Sequence, residues 1–315
     1  MPMSHAFEKI YGMIRIFKNL EWSTLSLMAG CYGLWILLGM AWQLPYGWLV
    51  LPFMAYLAAF HTSLQHEVVH GHPTPWAGLN EFLVSLPLAA IFPYRRYREL
   101  HLQHHNDQNL TDPYEDPESY FWPLSHYVTM RPVMRKIFAI NNTFFGRLTI
   151  GPALSLYGFS RTEIGRIRRG EPGVLLAWVL HSFGVAAMLL IVTQVFHIPL
   201  WVYGLFIVYP ALSLMAMRSY AEHQAAENIG ERSAIVETCP LWALLYLNNN
   251  LHITHHASPT TPWYELPALY AERRVQYLAA NGNTLFDGYW EIARRFGFTV
   301  KQPVDHPFMH RELDD

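Results

Sequence analysis

The sequence predicts an all-α integral membrane protein, in which four transmembrane helices form two hairpins beneath a cytoplasmic helical cap. Residues 22–66 and 172–217 contain no Asp, Glu, Lys or Arg. A membrane-spanning helix needs about 20 apolar residues, so each segment has room for two spans and a turn. Only 15% of the chain is charged, against roughly 25% in a typical soluble domain. A soluble protein with two buried hairpins is the alternative, but uncharged runs of this length are hard to bury in a soluble fold of 315 residues.

Short turns within the two uncharged segments set the limits of the spans. Residues 43–47 (QLPYG) and 197–199 (HIP) interrupt the apolar runs with Pro and Gly, which favour turns. The predicted spans are 22–43, 46–66, 173–196 and 199–222. The whole chain, 1–315, is predicted to form one domain, with its cap made of residues 67–172 and 223–315.

The distribution of positive charge predicts the orientation of the spans. All 22 Lys and Arg residues lie outside the two uncharged segments, and neither turn contains one. Cytoplasmic segments are enriched in Lys and Arg, so both termini and the cap are expected in the cytoplasm. The uncharged segment 82–94 is too short to cross and is expected to form a helix that lies in the interface or re-enters it. A net charge of −2 gives no indication of nucleic-acid binding.

Three histidine motifs lie in the cap or at its border with the spans. Residues 66–70 read HEVVH, which matches the zinc-peptidase pattern H-E-x-x-H with Glu67 as the base. HLQHH and HITHH share the spacing i, i+3, i+4, which places their imidazoles on one helix face. The three motifs contain these eight histidines: His66, His70, His101, His104, His105, His252, His255 and His256.

Depth in the membrane places a ninth histidine near the other eight. A helix that starts at Tyr46 and rises 1.5 Å per residue reaches the cytoplasmic surface at about His66. A helix that starts at Pro199 reaches the same surface just before His223 by the same argument. The HLQHH and HITHH motifs are cytoplasmic by charge. All nine histidines can therefore meet on one cytoplasmic cap over a four-helix bundle.

Nine imidazoles exceed the needs of one metal ion. A zinc site takes three or four ligands, so a peptidase would leave HLQHH and HITHH without a role. Two metal ions with four or five nitrogen ligands each would use all nine. The two cysteines, Cys31 and Cys239, are far apart, which argues against a thiolate site. Iron suits imidazole and supplies redox chemistry that zinc lacks, so the motifs predict two iron ions.

The order of the motifs resembles that of the membrane fatty acid desaturase/hydroxylase superfamily over roughly residues 20–270. The segments HEVVHGHPT, LTDPYEDPESY and NNNLHITHHASPTTPWYELP resemble bacterial members. The resemblance implies a non-haem pair of iron ions (Fe2+/Fe3+) bound by the nine histidines, and activation of O2. It also implies an acyl or lipid substrate, an external electron carrier of ferredoxin or cytochrome b5 type, and a bacterial inner membrane with the metal site on the cytoplasmic side.

The chain departs from the family pattern at one position. In one branch an Asn lies four residues before the isolated histidine, where this chain has Ser219. Asn250 or His72 is the candidate replacement. Glu67 is then expected to orient a ligating imidazole, as outer residues of metal sites do. The full set of candidate additional ligands or orienting residues is His72, Asn250, Glu67, Asp112 and Glu222.

The function expected from these features is desaturation, the introduction of a C=C bond into a fatty acyl or similar chain. A hydroxylase or ketolase acting on a lipid or carotenoid would use the same site, and a zinc metalloprotease using HEVVH is a more distant alternative. A metal transporter or sensor would need polar residues within the spans, which hold only isolated ones such as His181. Positive residues just before HLQHH are candidates for contact with an anionic headgroup or an electron carrier, or follow the positive-inside bias: Arg95, Arg96 and Arg98.

Overall fold

The computed structural model describes residues 20–309, and these residues are mostly helical. Four of its helices are long and apolar enough to cross a membrane. They are called the first to fourth spans and comprise Trp22–Ala41, Gly47–Val69, Val174–Val195 and Leu200–Glu222. The prediction of four helices long and apolar enough to cross is confirmed, and the largest difference in bounds is at the second, which continues past His66 to Val69. The outermost parts of the predicted cytoplasmic termini, 1–19 and 310–315, lie outside the described residues.

The second span lies at the centre of the bundle. It packs against both the first and the fourth spans, and its residues Met54, Ala58 and Ala59 are completely buried. Small residues such as these alanines let neighbouring helices approach closely. The first span presents large apolar side chains outward, as Leu37 at 66% exposure illustrates, which suits contact with lipid.

The turns that follow the first and third spans contact each other. The Trp42 indole Nε1 donates a hydrogen bond of 3.3 Å to the carbonyl oxygen of His197. The Gln43 side chain donates one of 3.0 Å to the carbonyl oxygen of Val195. The carbonyls at this end of the third span thus gain donors that the helix itself cannot supply. These bonds hold the two turns together at the end of the bundle opposite the histidine motifs.

Short helices build most of the remaining structure. Pro or Thr stands at or beside the start of several of them, which suits the first turn of a helix. The α-helices outside the spans are Ala77–Leu83, Tyr94–His104, Leu124–Thr129, Pro132–Asn141, Phe144–Thr149, Gly151–Arg168, Pro240–Leu245, His252–Ala257, Leu266–Ala280 and Gly288–Phe296. Tyr94–His104 is called the HLQHH helix and His252–Ala257 the HITHH helix.

The described residues are mostly helical, as predicted, with two short strands in addition. Two short strands, β1 (Ile235–Glu237) and β2 (Leu285–Asp287), pair in parallel. β-Branched residues such as Ile235 and Val236 favour this extended backbone. Val236 also exchanges hydrogen bonds with Asn250, through its N–H at 2.9 Å and its carbonyl oxygen at 2.8 Å. The strand therefore fixes the segment that leads into the HITHH helix.

Segment 82–94 differs from its expected helix. A helix covers only Ala77–Leu83, and residues 84–93 have no regular helical structure. Two prolines in this segment oppose a continuous helix. Leu88 is completely buried, and its carbonyl oxygen accepts a 2.7 Å hydrogen bond from the Tyr203 hydroxyl of the fourth span. The segment thus packs on the spans as irregular chain whose polar groups are satisfied by side chains.

Candidate metal centre

Four elements bring the nine histidines to one end of the spans. His66 lies in the last turn of the second span, and His70 is the first residue beyond it. The HLQHH helix ends at His104, and the HITHH helix begins at His252. His223 follows the fourth span directly, with an extended backbone. The second and fourth spans therefore both end at the histidines, as the argument from depth predicted.

The described residues contain two groups of side chains that can each hold a metal ion. In each group the potential ligand atoms lie within 4.8 Å of one another. The groups are adjacent, because the His105 ring of one stacks on the His256 ring of the other at 4.4 Å between centroids. The first group comprises His66, His70, His101, His105 and His255, and the second comprises His104, His223, His252 and His256.

Hydrogen bonds fix the tautomers of the second group. His223 Nδ1 lies 3.2 Å from the carbonyl oxygen of Arg232, which only accepts hydrogen bonds, so Nδ1 carries the proton. His104 Nδ1 is 2.9 Å from Asp116 Oδ1, and His256 Nδ1 is 2.8 Å from Asp107 Oδ1. Each of these rings therefore presents an unprotonated Nε2 in its neutral form.

His252 follows the same pattern. Its Nδ1 lies 3.2 Å from Asn249 Oδ1 and 3.3 Å from Glu222 Oε1, both of which accept. Its Nε2 lies 2.8 Å from His223 Nε2 and 3.1 Å from His256 Nε2. Four lone pairs thus point into one small space, where they repel one another unless a cation lies between them.

The spacing of these nitrogens suits a metal ion. His104 Nε2 and His223 Nε2 are 3.0 Å apart. Two neighbouring ligands in octahedral coordination, at about 2.1 Å from the metal, are also about 3.0 Å apart. The donor set of the second group, in charge, direction and spacing, therefore fits a divalent transition metal.

The first group also places imidazole nitrogens at a spacing that suits a metal ion. His105 Nε2 lies 3.0 Å from His101 Nε2 and 3.1 Å from His255 Nε2. His70 Nε2 is buried without a hydrogen-bond partner, which is costly for a polar atom unless it binds something. His101 donates from Nδ1 to Glu118 Oε1 at 2.8 Å, so its Nε2 is also free to act as a ligand.

One asparagine connects the two groups. Asn249 Nδ2 lies 3.3 Å from Nε2 of His66 in the first group, and its Oδ1 accepts from His252 in the second. Asn249 is 1% exposed. Its neighbour Asn250 instead bonds the Val236 carbonyl oxygen. Asn249 therefore contacts both groups, whereas the predicted Asn250 bonds β1 through Nδ2 and has a buried Oδ1 without a hydrogen-bond partner.

Burial keeps most of these imidazoles neutral, which is the form that binds metals. His104 differs: burial opposes its charged form, but Glu118 and Asp116 raise its pKa to about 9. These carboxylates favour positive charge at His104, whether from a proton or from a metal ion. Burial lowers the pKa of His70, His101, His105, His223, His252, His255 and His256.

The remaining candidates lie outside both groups. His72 Nδ1 is 2.5 Å from a Glu21 carboxylate oxygen. Glu67 accepts from the Trp263 N–H at 3.1 Å and stays 3.9 Å from His66 Nδ1, which is too far for the expected orienting hydrogen bond. Asp112 accepts from the Tyr114 N–H. Glu222 does approach a histidine of the second group, since its Oε1 lies 3.3 Å from His252 Nδ1.

Four orienting residues are missing from the candidate set: Asp107, Asp116, Glu118 and Asn249. Glu118 lies in a loop with several acids, where sequence gives no reason to prefer one acid over another. Asn249 is the middle member of an Asn248–Asn250 run. The run itself was visible beside HITHH, but which amide faces the histidines depends on the turn before that helix.

Comparison with known proteins agrees with this geometry. No curated protein matches the chain. A protein-family model described as fatty acid desaturase matches residues 40–287. The matched region covers most of the chain and includes all three histidine motifs and His223. The chain therefore belongs to the fatty acid desaturase family.

Proposed function

We propose that this protein is an O2-dependent membrane oxidoreductase that holds two iron ions and introduces a C=C bond into a fatty acyl or similar aliphatic chain. The observation that carries the proposal is the convergence of nine imidazoles in two adjacent groups in a chain of the desaturase family. Imidazole sets without thiolate suit iron among the redox-active metals. The zinc-peptidase alternative would leave most of these histidines without a role.

The proposed ligands are the nine histidines, five for one ion and four for the other. When bound, an iron pair supplies the capacity to oxidise unactivated C–H bonds with O2. The chain itself orients the imidazoles: Glu118, Asp116, Asp107 and Glu222 each lie within 3.3 Å of the Nδ1 of one histidine. Such contacts fix ring orientation and raise the basicity of the ligand.

The overall reaction requires an external reductant. Removal of two hydrogens from an aliphatic chain, with O2 reduced to two waters, consumes two further electrons and two protons. The sequence has no haem-binding HPGG motif, no G-x-G-x-x-G and no C-x-x-C. We therefore assign the electrons to a separate carrier protein of ferredoxin or cytochrome b5 type.

A cavity of about 710 Å³ supports an amphipathic substrate. Apolar residues line it from two spans and the HLQHH helix, including Val69, Leu176 and Leu102. Arg95 and Arg98 lie at the same cavity and are exposed. Arg95 pairs with Glu81 at 2.6 Å, and Glu99 also lines the cavity. Arg98 is therefore the guanidinium proposed for an anionic headgroup, and the apolar wall suits an aliphatic chain.

Arg96, the third arginine before HLQHH, has another role. It is 1% exposed, and it binds Glu163 through two hydrogen bonds of 2.8 and 3.0 Å. Trp178 also donates to Glu163, at 3.0 Å. This buried pair connects the HLQHH helix to Gly151–Arg168 and is therefore structural.

The proposed arrangement in the membrane is two helical hairpins with the histidines on the cytoplasmic side. The second and fourth spans end at the histidines, and the turns after the first and third spans meet at the opposite end. The positive-inside rule places the Arg-rich end in the cytoplasm. The proposal includes a bacterial inner membrane location, because the contexts of the histidine motifs resemble bacterial members of the family, and a single domain, 1–315.

Purification and product analysis test the proposal. The full-length protein, expressed in a lipid-rich host, is expected to contain two iron ions per chain by elemental analysis. Mass spectrometry of the host lipids should show products that have lost two hydrogens. One zinc ion per chain without iron would overturn the di-iron proposal, and a product that has gained an oxygen atom would assign hydroxylation or ketone formation instead.

A further inference from the structure

Arg218 is a charged residue within the fourth span, one helical turn before Glu222. It is 5% exposed. Ionisable residues inside membrane helices are costly and are usually retained for function. Neither the histidine motifs nor the family resemblance singles out Arg218. Its contacts, however, lead to the second histidine group.

The contacts run from Arg218 through Glu222 to the second histidine group. Arg218 Nε lies 2.8 Å from Glu222 Oε1 in a buried ion pair. The same carboxylate oxygen lies 3.3 Å from His252 Nδ1. Arg218, Glu222 and His252 thus form a continuous polar chain that ends at a proposed metal ligand.

We infer that Arg218 is a positioning residue for the second metal site, because its ion pair with Glu222 holds that carboxylate beside His252 Nδ1. This inference rests on the proposed metal sites but not on the proposed reaction. A guanidinium suits the role, since its planar set of donors can serve several acceptors at once, whereas the ammonium of lysine acts as a point charge.

The expected effect of losing Arg218 follows from its position. Removal of an outer residue that orients a ligand typically lowers metal affinity about 10- to 100-fold. Arg218→Lys keeps the charge but loses the planar set of donors. Its metal affinity should therefore lie between those of Arg218→Met and the wild type. Glu222→Gln should lose about as much metal affinity as Arg218→Met, because both variants break the contacts from Arg218 through Glu222 to His252.

The test is a cobalt(II) titration of the full-length chain in detergent after removal of resident metal with a chelator. Co2+ binds imidazole sites and reports its coordination through its visible spectrum, and it follows Fe2+ in the order of affinity. The variants are Arg218→Met, Arg218→Lys, Glu222→Gln and the double variant. Because both single variants break one chain, the double variant should lose little more affinity than either single one.

Arg147→Met is the matched control. Arg147 is also buried, at 6% exposure, but it donates to Asn141 and Asn142 rather than to a carboxylate of the centre. The wild type and this control should bind two Co2+ with similar affinity. An equal loss in the control would show general destabilisation and overturn the assignment to Arg218.

Other outcomes also decide the inference. Unchanged Co2+ affinity in Arg218→Met, no rescue by Arg218→Lys, or additive losses in the double variant would each overturn it, as would a wild type that binds no Co2+. A wild type that binds two Co2+ but forms no alkene with its iron restored would remove the proposed function and leave this inference intact.

Discussion

His104 Nε2 and His223 Nε2 lie 3.0 Å apart, although 119 positions separate the two residues in the chain. His104 ends the HLQHH helix, and His223 follows the fourth span. Each Nδ1 is engaged by an acceptor, Asp116 for His104 and the Arg232 carbonyl oxygen for His223. In the neutral form of both rings the facing nitrogens carry lone pairs, and this contact is stable only with a positive charge between them, from a metal ion or from a proton.

Replacement of His104 should remove metal from the second group. His104→Ala is expected to lower the iron content of the purified protein and to abolish product formation, while the protein stays in the membrane. His306→Ala is the control, because His306 is buried but bonds Thr111 outside both groups. Elemental analysis and lipid mass spectrometry check both variants, and near wild-type iron and product in His104→Ala would contradict its assignment as a ligand.

Asp116, the carboxylate that binds His104 Nδ1, should affect metal affinity at the second group. Asp116→Asn preserves size but replaces a charged acceptor for His104 Nδ1 with an amide, so metal affinity should fall about 10- to 100-fold. Asp112→Asn is the comparison, since Asp112 accepts from the Tyr114 N–H. Competition with a chelator of known affinity measures both. Equal affinity in the two variants would show that the His104–Asp116 contact does not support metal binding.

Metal removal should destabilise the fold around the histidines. A ligand that binds only the folded state stabilises it by about 2.7 kcal/mol at 100 times its dissociation constant. Chelator treatment should therefore lower Tm in detergent, and added Fe2+ or Co2+ should restore it. Ca2+ serves as the control, because it prefers oxygen ligands. A Tm that does not respond to the chelator, in protein shown to contain iron, would argue against the nine-histidine site.

The contact between the first and third spans should depend on a glycine. A Cβ at Gly39 would lie 2.4 Å from the ring of Phe196, which is 1% exposed and has little room to move. Gly39→Ala should therefore cost about 1–3 kcal/mol, as overpacking does in other cores. Gly33→Ala, on the same helix with nothing within 4 Å of its Cβ, is the control. Unfolding in denaturing detergent compares them, and equal midpoints would refute this packing.

Much of the architecture was predictable because its signals are local. Residues 22–66 contain no charged residue and are long enough for two spans, which can be seen without any knowledge of the fold. The repeated i, i+3, i+4 spacing likewise places three imidazoles on one helix face wherever that helix lies. The parallel pairing of β1 with β2 was not predictable, because strands of three residues carry too little pattern and their pairing joins segments far apart in sequence.

The uncharged runs and the histidine motifs were enough to predict four helices of membrane-spanning length, the nine histidines that lie together in the structure, and the family. The folded chain adds the division of these histidines into groups of five and four, and the contacts that Asn249, Glu118 and Glu222 make with them. Hydrophobic length and helical spacing act between neighbours in the chain. A metal site depends instead on the directions of a few nitrogen atoms, and these belong to residues as far apart as His105 and His255, which 150 positions separate.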